Sequence, residues 1–350
     1  MTLLARNEVD VVDAQIAFHL HAGVDYVVAT DNRSEDGTAE ILERYRRAGV
    51  LHLIREDEDD MRQDQWVTRM ARLAATDFGA DWVVNADADE FWWPRGGSLK
   101  DVLDGVPDRY GVVRGCWRHF VPRPFDGRFF AERMTTRLVA SADPGDMRTV
   151  FHAHQKVAHR AHPQVVVERG NHNAEAPDGL EPLRGWHPIE VLHFSIRSPE
   201  QVRRKGAGGW VRSAGYVLAG HQARLDDALR SDRVDAFYRE LQVDDDALAA
   251  GLANGTLERD ERVRDALRSL RAQDGTFELP GEKPALTFAP PVLVDQGAFA
   301  GEASVLVGID GIVRAEERVD ALERRLTALE GGAAMRLRET LRTRRRLARR

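Results

Sequence analysis

The sequence predicts an α/β protein with a mostly parallel central sheet and a C-terminal helical extension. Two observations carry this. Over the first ninety residues, short β-branched runs alternate with amphipathic segments of helix length. Polar, acidic loops then fall where those strands should end, the place at which α/β sheets bind their ligands.

Taken in order, LLA at 3–5 is a short apolar run that stops at Arg6, Asn7 and Glu8. VVDAQIAFHLHAG at 11–23 spaces Val12, Ile16, Phe18 and Leu20 as a helix would, with a glycine stop. DYVVAT at 25–30 reads as a strand, and it runs into the loop DNRSEDGT. TAEILERYRRAG at 38–49 is an amphipathic helix ending at Gly49, and VLHLI at 50–54 is the next strand. QWVTRMARLAATDFGA at 65–80 and DWVVNAD at 81–87 repeat the helix and strand pair. Beyond residue 105 the pattern is mixed, with strands in YGVVRGCW (110–117) and TTRLVA (135–140), a histidine-rich stretch from His152 to His193, and charged helical sequence over 198–275.

The 350 residues are 43% apolar, enough for one large domain with an appendage. No window approaches 18 uncharged apolar residues, and MTLLARNEVD becomes charged before a signal-peptide core can form, so a cytoplasmic protein is expected. Cys116 is the lone cysteine, which excludes an internal disulfide and any cysteine-based zinc cluster. A net charge of −7 gives no case for nucleic-acid binding. Lysine occurs only four times, so the basic charge is nearly all arginine.

The stretch WVVNADADEFWWP (82–94) carries the chemistry. Residues two apart on a strand share a face, so Asp87 and Asp89 stand together at a strand end, with the small Ala88 between them. Carboxylates held that close repel unless something positive lies between them. A hard divalent cation, Mn²⁺ or Mg²⁺, meets that need and completes its shell with water and phosphate oxygens. An isolated D-x-D also serves as a helix cap or a solvated turn. The second loop, TDNRSEDGT (30–38), adds Asp31, placed to accept a hydrogen bond from a nucleobase or ribose. Asp36, Gly37 and Thr38 in that loop suit the cap and turn that start helix 38–48.

Together, RNE (6–8), HLHAGVDYVVATDNRSEDGTAEIL (19–42) and DWVVNADADEF (81–91) resemble glycosyltransferase family 2 and its GT-A-fold relatives, in the branch that couples a DN-S-DGT loop to a DADEF metal motif. The resemblance covers roughly residues 3–95, with a weaker continuation in VLHFSIRSPEQVRRK (191–205), and the last 120 residues lie outside it. It implies a GT-A-type nucleotide-binding fold and metal-dependent, inverting transfer of a sugar from a nucleotide-diphosphate donor, UDP-sugars favoured, to a glycan or glycoconjugate acceptor. Glu8 and Asp31 would hold the nucleoside. Asp87 and Asp89 would bind the ion and, through it, the diphosphate, with Glu90 against the donor or the metal shell. His193 looks like a late histidine that adds a ligand to the same ion.

Lys156, His172, Arg197 and Arg133 are candidates for phosphate or acceptor contacts, each with a salt-bridged or solvated role as the alternative. Trp92 and Trp93 are candidates for a wall that stacks on a sugar ring, with at least one of them in the core. An inverting transfer needs a carboxylate base. Glu168, Glu175, Asp178 and Glu181 lie in the stretch where one could arise, and none sits in a recognisable pattern, so the base is unassigned. Two other functions compete: a sugar nucleotidyltransferase, disfavoured because LLARNEVD lacks a glycine-rich triphosphate loop, and a non-catalytic scaffold working through its C-terminal helix.

The expected organisation is a catalytic domain over 1–225, a helical region over 226–279, a Pro/Gly-rich linker or arm over 280–302, and a coiled-coil-like helix with an Arg-rich tail over 303–350. Ile312, Ala315, Val319, Leu322, Leu326, Leu329 and Ala333 form a short heptad seam suited to homo-oligomerisation or to docking on the catalytic domain. The tail MRLRETLRTRRRLARR carries eight arginines against one glutamate, a charge pattern suited to peripheral contact with the inner face of an anionic membrane.

Overall fold

The computed structural model describes residues 1–58, 62–139, 151, 154–183, 187–207, 220–281 and 285–288, with isolated positions at 315, 318, 319 and 322. The heptad seam and the Arg-rich tail otherwise lie outside the described residues. No described helix is long and apolar enough to cross a membrane.

The chain opens with β1 (Thr2–Ala5), α1 (Val12–His21), β2 (Val27–Asp31), α2 (Thr38–Arg47), β3 (Leu51–Arg55), α3 (Gln63–Thr76) and β4 (Trp82–Asp87), the alternation expected from the sequence. β3, β2, β1 and β4 lie side by side, all parallel. The sheet continues through β8 (Gln155–Arg160), β6 (Val112–His119), β11 (Ile189–His193) and β5 (Glu90–Pro94). Only β8 and β5 run against the rest. The α/β class and the mostly parallel sheet are therefore as predicted.

Alternation along the strands divides the core between two faces. Val28, Val83, Val112 and Val157 face α3, where Val67, Met70, Ala71 and Ala74 are buried. Leu3, Ala5, Val27, Ala29 and Ala86 face the other way, toward α1. That helix is buried nearly all round, its polar Gln15, His19 and His21 included, with Asp13 the one residue not buried. It lies among the sheet, α2, and α10 (Arg262–Leu270), whose Val263, Ala266, Leu267 and Leu270 enter the same core. The C-terminal helices are thus built onto the sheet domain, and α7 (Gly220–Arg230) runs through position 225. From the Pro/Gly-rich arm, Leu286 donates its amide to His21 O at 3.1 Å, and Phe288 packs on Phe18 and Trp93.

One feature of this topology creates the site. β4 and β5 are separated in the sheet by three strands, yet only Ala88 and Asp89 connect them. Three Cα steps reach about 11 Å, whereas four strand spacings on a flat sheet need about 19 Å. The sheet is therefore curled, bringing the Asp87 amide to 3.1 Å from Glu90 Oε2. β4 pairs with β8 only along Trp82–Val84, and beyond that register side chains bridge the two strands, with Asn85 Nδ2 donating to Val157 O and Lys156 Nζ to Asp87 Oδ2.

Two buried histidines tie this framework to pH. His19 on α1 bonds Gln15 O through Nδ1 (2.7 Å) and accepts the Trp92 amide at Nε2 (3.1 Å), so both ring nitrogens are committed in the neutral form. Burial pushes its pKa down to about 3, and burial likewise lowers His159 to about 4. In the unfolded chain both titrate near 6.5. Their contribution is therefore complete above pH 6.5 and is lost as pH falls toward those folded values, at about 1.4 kcal/mol per pH unit for each ring. Urea melts are expected to show stability about 3 kcal/mol lower at pH 5.5 than at pH 7.5. A flat profile across that interval would contradict neutral, buried rings.

Candidate functional site

β1, β2 and β4 end together, with Ala5 paired to Asp31 and Leu4 to Asp87. Asp31 and Asp87 thus stand on either side of β1, about 10 Å apart at two strand spacings. The loop that leaves β1 is tied to the one that leaves β2. Thr38 Oγ1 accepts the Glu8 amide (2.8 Å), Asp36 Oδ2 accepts the Val9 amide (3.1 Å), and Asp36 Oδ1 accepts the Thr38 hydroxyl (2.6 Å). The N-cap position of α2 is Gly37, at a left-handed φ of 102°, so Asp36 and Thr38 brace the two loops and neither is the cap residue itself.

Each aspartate of the DAD motif faces a lysine. Lys156 Nζ, from β8, lies 2.5 Å from Asp87 Oδ2 and 3.1 Å from Glu90 Oε1. Asp87 Oδ1 accepts Asn171 Nδ2 at 3.1 Å, and Glu90 Oε1 accepts the Trp117 indole N–H at 2.8 Å. Lys205 Nζ, from α6 (Pro199–Ala207), lies 2.8 Å from Asp89 Oδ2 and 3.7 Å from Glu8 Oε1. Arg197 bridges Glu8 (2.5 Å) and Asp10 (2.7 Å), and Arg204 reaches Asp10 at 3.1 Å. Five carboxylates therefore meet four cations at the carboxyl end of the sheet.

Their electrostatics follow from burial and partners. Burial alone would raise Asp89, but Lys205, His193 and Arg197 outweigh it and hold the carboxyl well below its usual range. Burial opposes the charge on Lys156 and Lys205, and the neighbouring acids reverse that, raising both ammonium groups. Glu90 is fully buried and is raised by that burial, with Lys156 opposing.

His193 ends β11, and its Nε2 lies 3.6 Å from Asp89 Oδ1. Its ring stacks on Trp117 (4.5 Å between centroids, 23°), and its Nδ1 meets His119 Nδ1 at 3.3 Å. Two carboxylates and an imidazole are the donor chemistry of a hard divalent ion, and a 3.6 Å separation suits two ligands of one ion. Among the described residues, no three His, Cys, Asp or Glu side chains form a ready-made cation cage. Asp87, Asp89 and His193, the residues expected to share one ion, are thus not gathered into a single cage: Lys156 faces Asp87 and Lys205 faces Asp89.

Asp31 is nearly buried. Its Oδ2 pairs with Arg55 (3.1 Å), while Oδ1 is enclosed without a hydrogen-bond partner. Of the base candidates, Asp178 faces His162 (3.2 Å), and Glu181 O accepts the amides of Gly111 and Val112 at the start of β6. Both therefore lie at the end of the sheet opposite Asp87. Glu168 and Glu175 are exposed, and Glu168 accepts Asn173 Nδ2 at 3.3 Å. Asp178 and Glu181 are thus set apart from the DAD motif, whereas Glu168 leads into the turn whose Asn171 donates to Asp87 Oδ1.

Of the two tryptophans, at least one is expected in the core, and Trp92 is there. Trp92 is fully buried, and the half-buried Trp93 packs against the core through Phe18 and Phe288, with Arg262 over its ring. The aromatic ring at the site is Trp117, flanked by His119, His154, His172 and His193, with Lys156 Nζ 5.2 Å from a ring centroid. Arg133 donates to the carbonyls of Arg128 and Arg197. His172 bonds Gln155 O at 2.7 Å and stacks on His154. Lys205, Trp117, Asn171 and His119 carried no motif of their own, and the quoted segment 191–205 held the one available sign of Lys205.

No family model matches the chain, and no curated protein matches it. Solved structures that resemble it include S. aureus TarS 1-349, with 12% identity over 65% of this chain and 68% of that one and a TM-score of 0.32. The same protein in complex with UDP aligns over 66% and 69% (13% identity, TM-score 0.30), and in complex with UDP-GlcNAc over 66% and 70% (13%, 0.32). Likeness at this level carries no functional inference, which rests on the side chains.

Proposed function

We propose that this protein is a glycosyltransferase that moves a sugar from a nucleotide-diphosphate sugar, UDP-sugars favoured, to a glycan or glycoconjugate acceptor with inversion. The observation that supports this most is the convergence of Glu8, Asp31, Asp87, Asp89 and Glu90 on one end of a parallel sheet, with Lys156 and Lys205 set among them. Asp31 and Glu8 suit the nucleoside, at the ends of β2 and β1. The two ammonium groups supply positive charge where a leaving diphosphate gains its negative charge. Asp89, His193 and Asp87 would hold Mn²⁺ or Mg²⁺, which when bound stabilises that same diphosphate as a Lewis acid. Trp117 packs on His193 and under Lys156, so it would hold those two side chains in place beside the donor.

The loop from β1 to α1 contains no glycine, so it lacks the backbone cradle with which a nucleotidyltransferase would hold a triphosphate. Incubation with a panel of sugar nucleotides and Mn²⁺ is expected to release nucleoside diphosphate. Pyrophosphate release from a nucleoside triphosphate and a sugar phosphate, with no diphosphate from any donor, would overturn the assignment.

A further inference from the structure

Arg197 is the point at which separate acidic segments of the site meet, although its side chain is only 1% exposed. Nη2 donates to Glu8 Oε2 at 2.5 Å and to Asp10 Oδ1 at 3.2 Å, and Nε donates to Asp10 Oδ2 at 2.7 Å. Nη1 donates to Phe194 O at 3.0 Å and lies 3.7 Å from Asp89 Oδ2. All three guanidinium nitrogens are thus engaged, on the loop after β1, the turn after β4 and the loop after β11. The backbone of Arg197 is held as firmly. Its carbonyl accepts Arg133 Nη2 (2.7 Å) and the Tyr238 hydroxyl (3.3 Å), and its amide donates to Gln201 Oε1 (3.2 Å). Tyr238 belongs to α8 (Val234–Leu241), so the helical region reaches the site through this residue.

We propose that Arg197 is a positioning residue of the donor site: it fixes Glu8, Asp10 and Asp89 in one arrangement and joins the C-terminal helices to them, without itself contacting the donor. The assignment rests on the donor-site reading above. A planar fork of donors can satisfy several carboxylates and a carbonyl together, whereas a lysine ammonium is a single point of charge and cannot reach them all. Without the fork, Glu8, Asp10 and Asp89 keep, among the described residues, Lys205, Arg204 and the His193 imidazole, and the two cations lie nearer the surface than Arg197.

The test pairs equilibrium binding of UDP, GDP and dTDP in Mn²⁺ with thermal unfolding in the absence of ligand, for wild type, Arg197→Lys and Arg262→Lys. Arg262 is the matched control. It also bridges carboxylates, Glu190 at 2.7 Å and Asp260 at 2.6 Å, but touches none of Glu8, Asp10 or Asp89. Arg197→Lys is expected to weaken binding of the preferred diphosphate at least tenfold, while Arg262→Lys lowers the melting temperature and binds as wild type does. Wild-type affinity in Arg197→Lys, or a loss in Arg262→Lys that scales with its melting temperature as in Arg197→Lys, would overturn the assignment alone. Should Arg197→Lys not fold, Asp10→Asn, which removes one anchor, is expected to weaken binding severalfold, and unchanged affinity there would overturn the assignment too. A wild-type protein that binds no nucleoside diphosphate would overturn the donor reading, and this assignment with it.

Discussion

Asp89→Asn is expected to slow nucleoside diphosphate release by two to three orders of magnitude while the protein remains folded. The substitution keeps the shape of the side chain and removes the charge that Lys205 and Arg197 face and that His193 approaches. The carboxylate would act through the cation it anchors, and loss of one group that stabilises developing charge typically costs about 10²–10³ in turnover. Chelation of the divalent ion should reduce wild-type activity comparably and leave little further for the variant to lose. Asp178→Asn, at the opposite end of the sheet, is expected to retain the wild-type rate. Near-normal turnover of Asp89→Asn would remove this carboxylate from the chemistry.

Trp92→Ala is expected to be the most damaging core substitution among those considered, costing about 3–5 kcal/mol. The ring is fully buried in β5, and Gly115 on β6 leaves room beside it: a Cβ there would stand 2.7 Å from Val191 Cγ2 and 3.5 Å from the Trp92 ring. Loss of that much stability corresponds to a fall in melting temperature on the order of 10 °C for a domain of this size. The Trp92 indole nitrogen is buried without a hydrogen-bond partner, so Trp92→Phe should cost less than the lost area implies. Binding of nucleoside diphosphate by Trp92→Phe should match wild type. Selective loss of binding without loss of stability would return Trp92 to the site.

The parallel half of the sheet was legible because its strands are apolar runs that end abruptly in acid. VVATD stops at Asp31 and WVVNAD at Asp87, and both fall at the carboxyl edge where the sequence places them. The destination of the next strand was not legible. EFWWP follows within two residues, and nothing local announces that it pairs with β11 at the far edge of a curled sheet. That placement explains why Trp92 enters the core and Trp93 packs against it, while Trp117 of β6 is the ring beside His193 and Lys156. The partners of the DAD motif were hidden for a related reason. Lys156 and Lys205 are 69 and 116 residues from the aspartates they face, a separation that no periodicity bridges. The base candidates came from sequence position alone. Because β8 runs against its neighbours, the chain after it starts from the opposite end of the sheet, and Asp178 and Glu181 remain there.

The most direct measurement is a crystal structure of the protein with UDP and Mn²⁺, with the ion located by its anomalous scattering. The account predicts a manganese peak within coordinating distance of Asp89 and His193, the diphosphate beside it with Lys205 in reach, and the uridine on the Asp31 side of β1. Nucleotide bound away from the carboxyl ends of β1, β2 and β4, or manganese held by residues that include neither Asp89 nor His193, would contradict it.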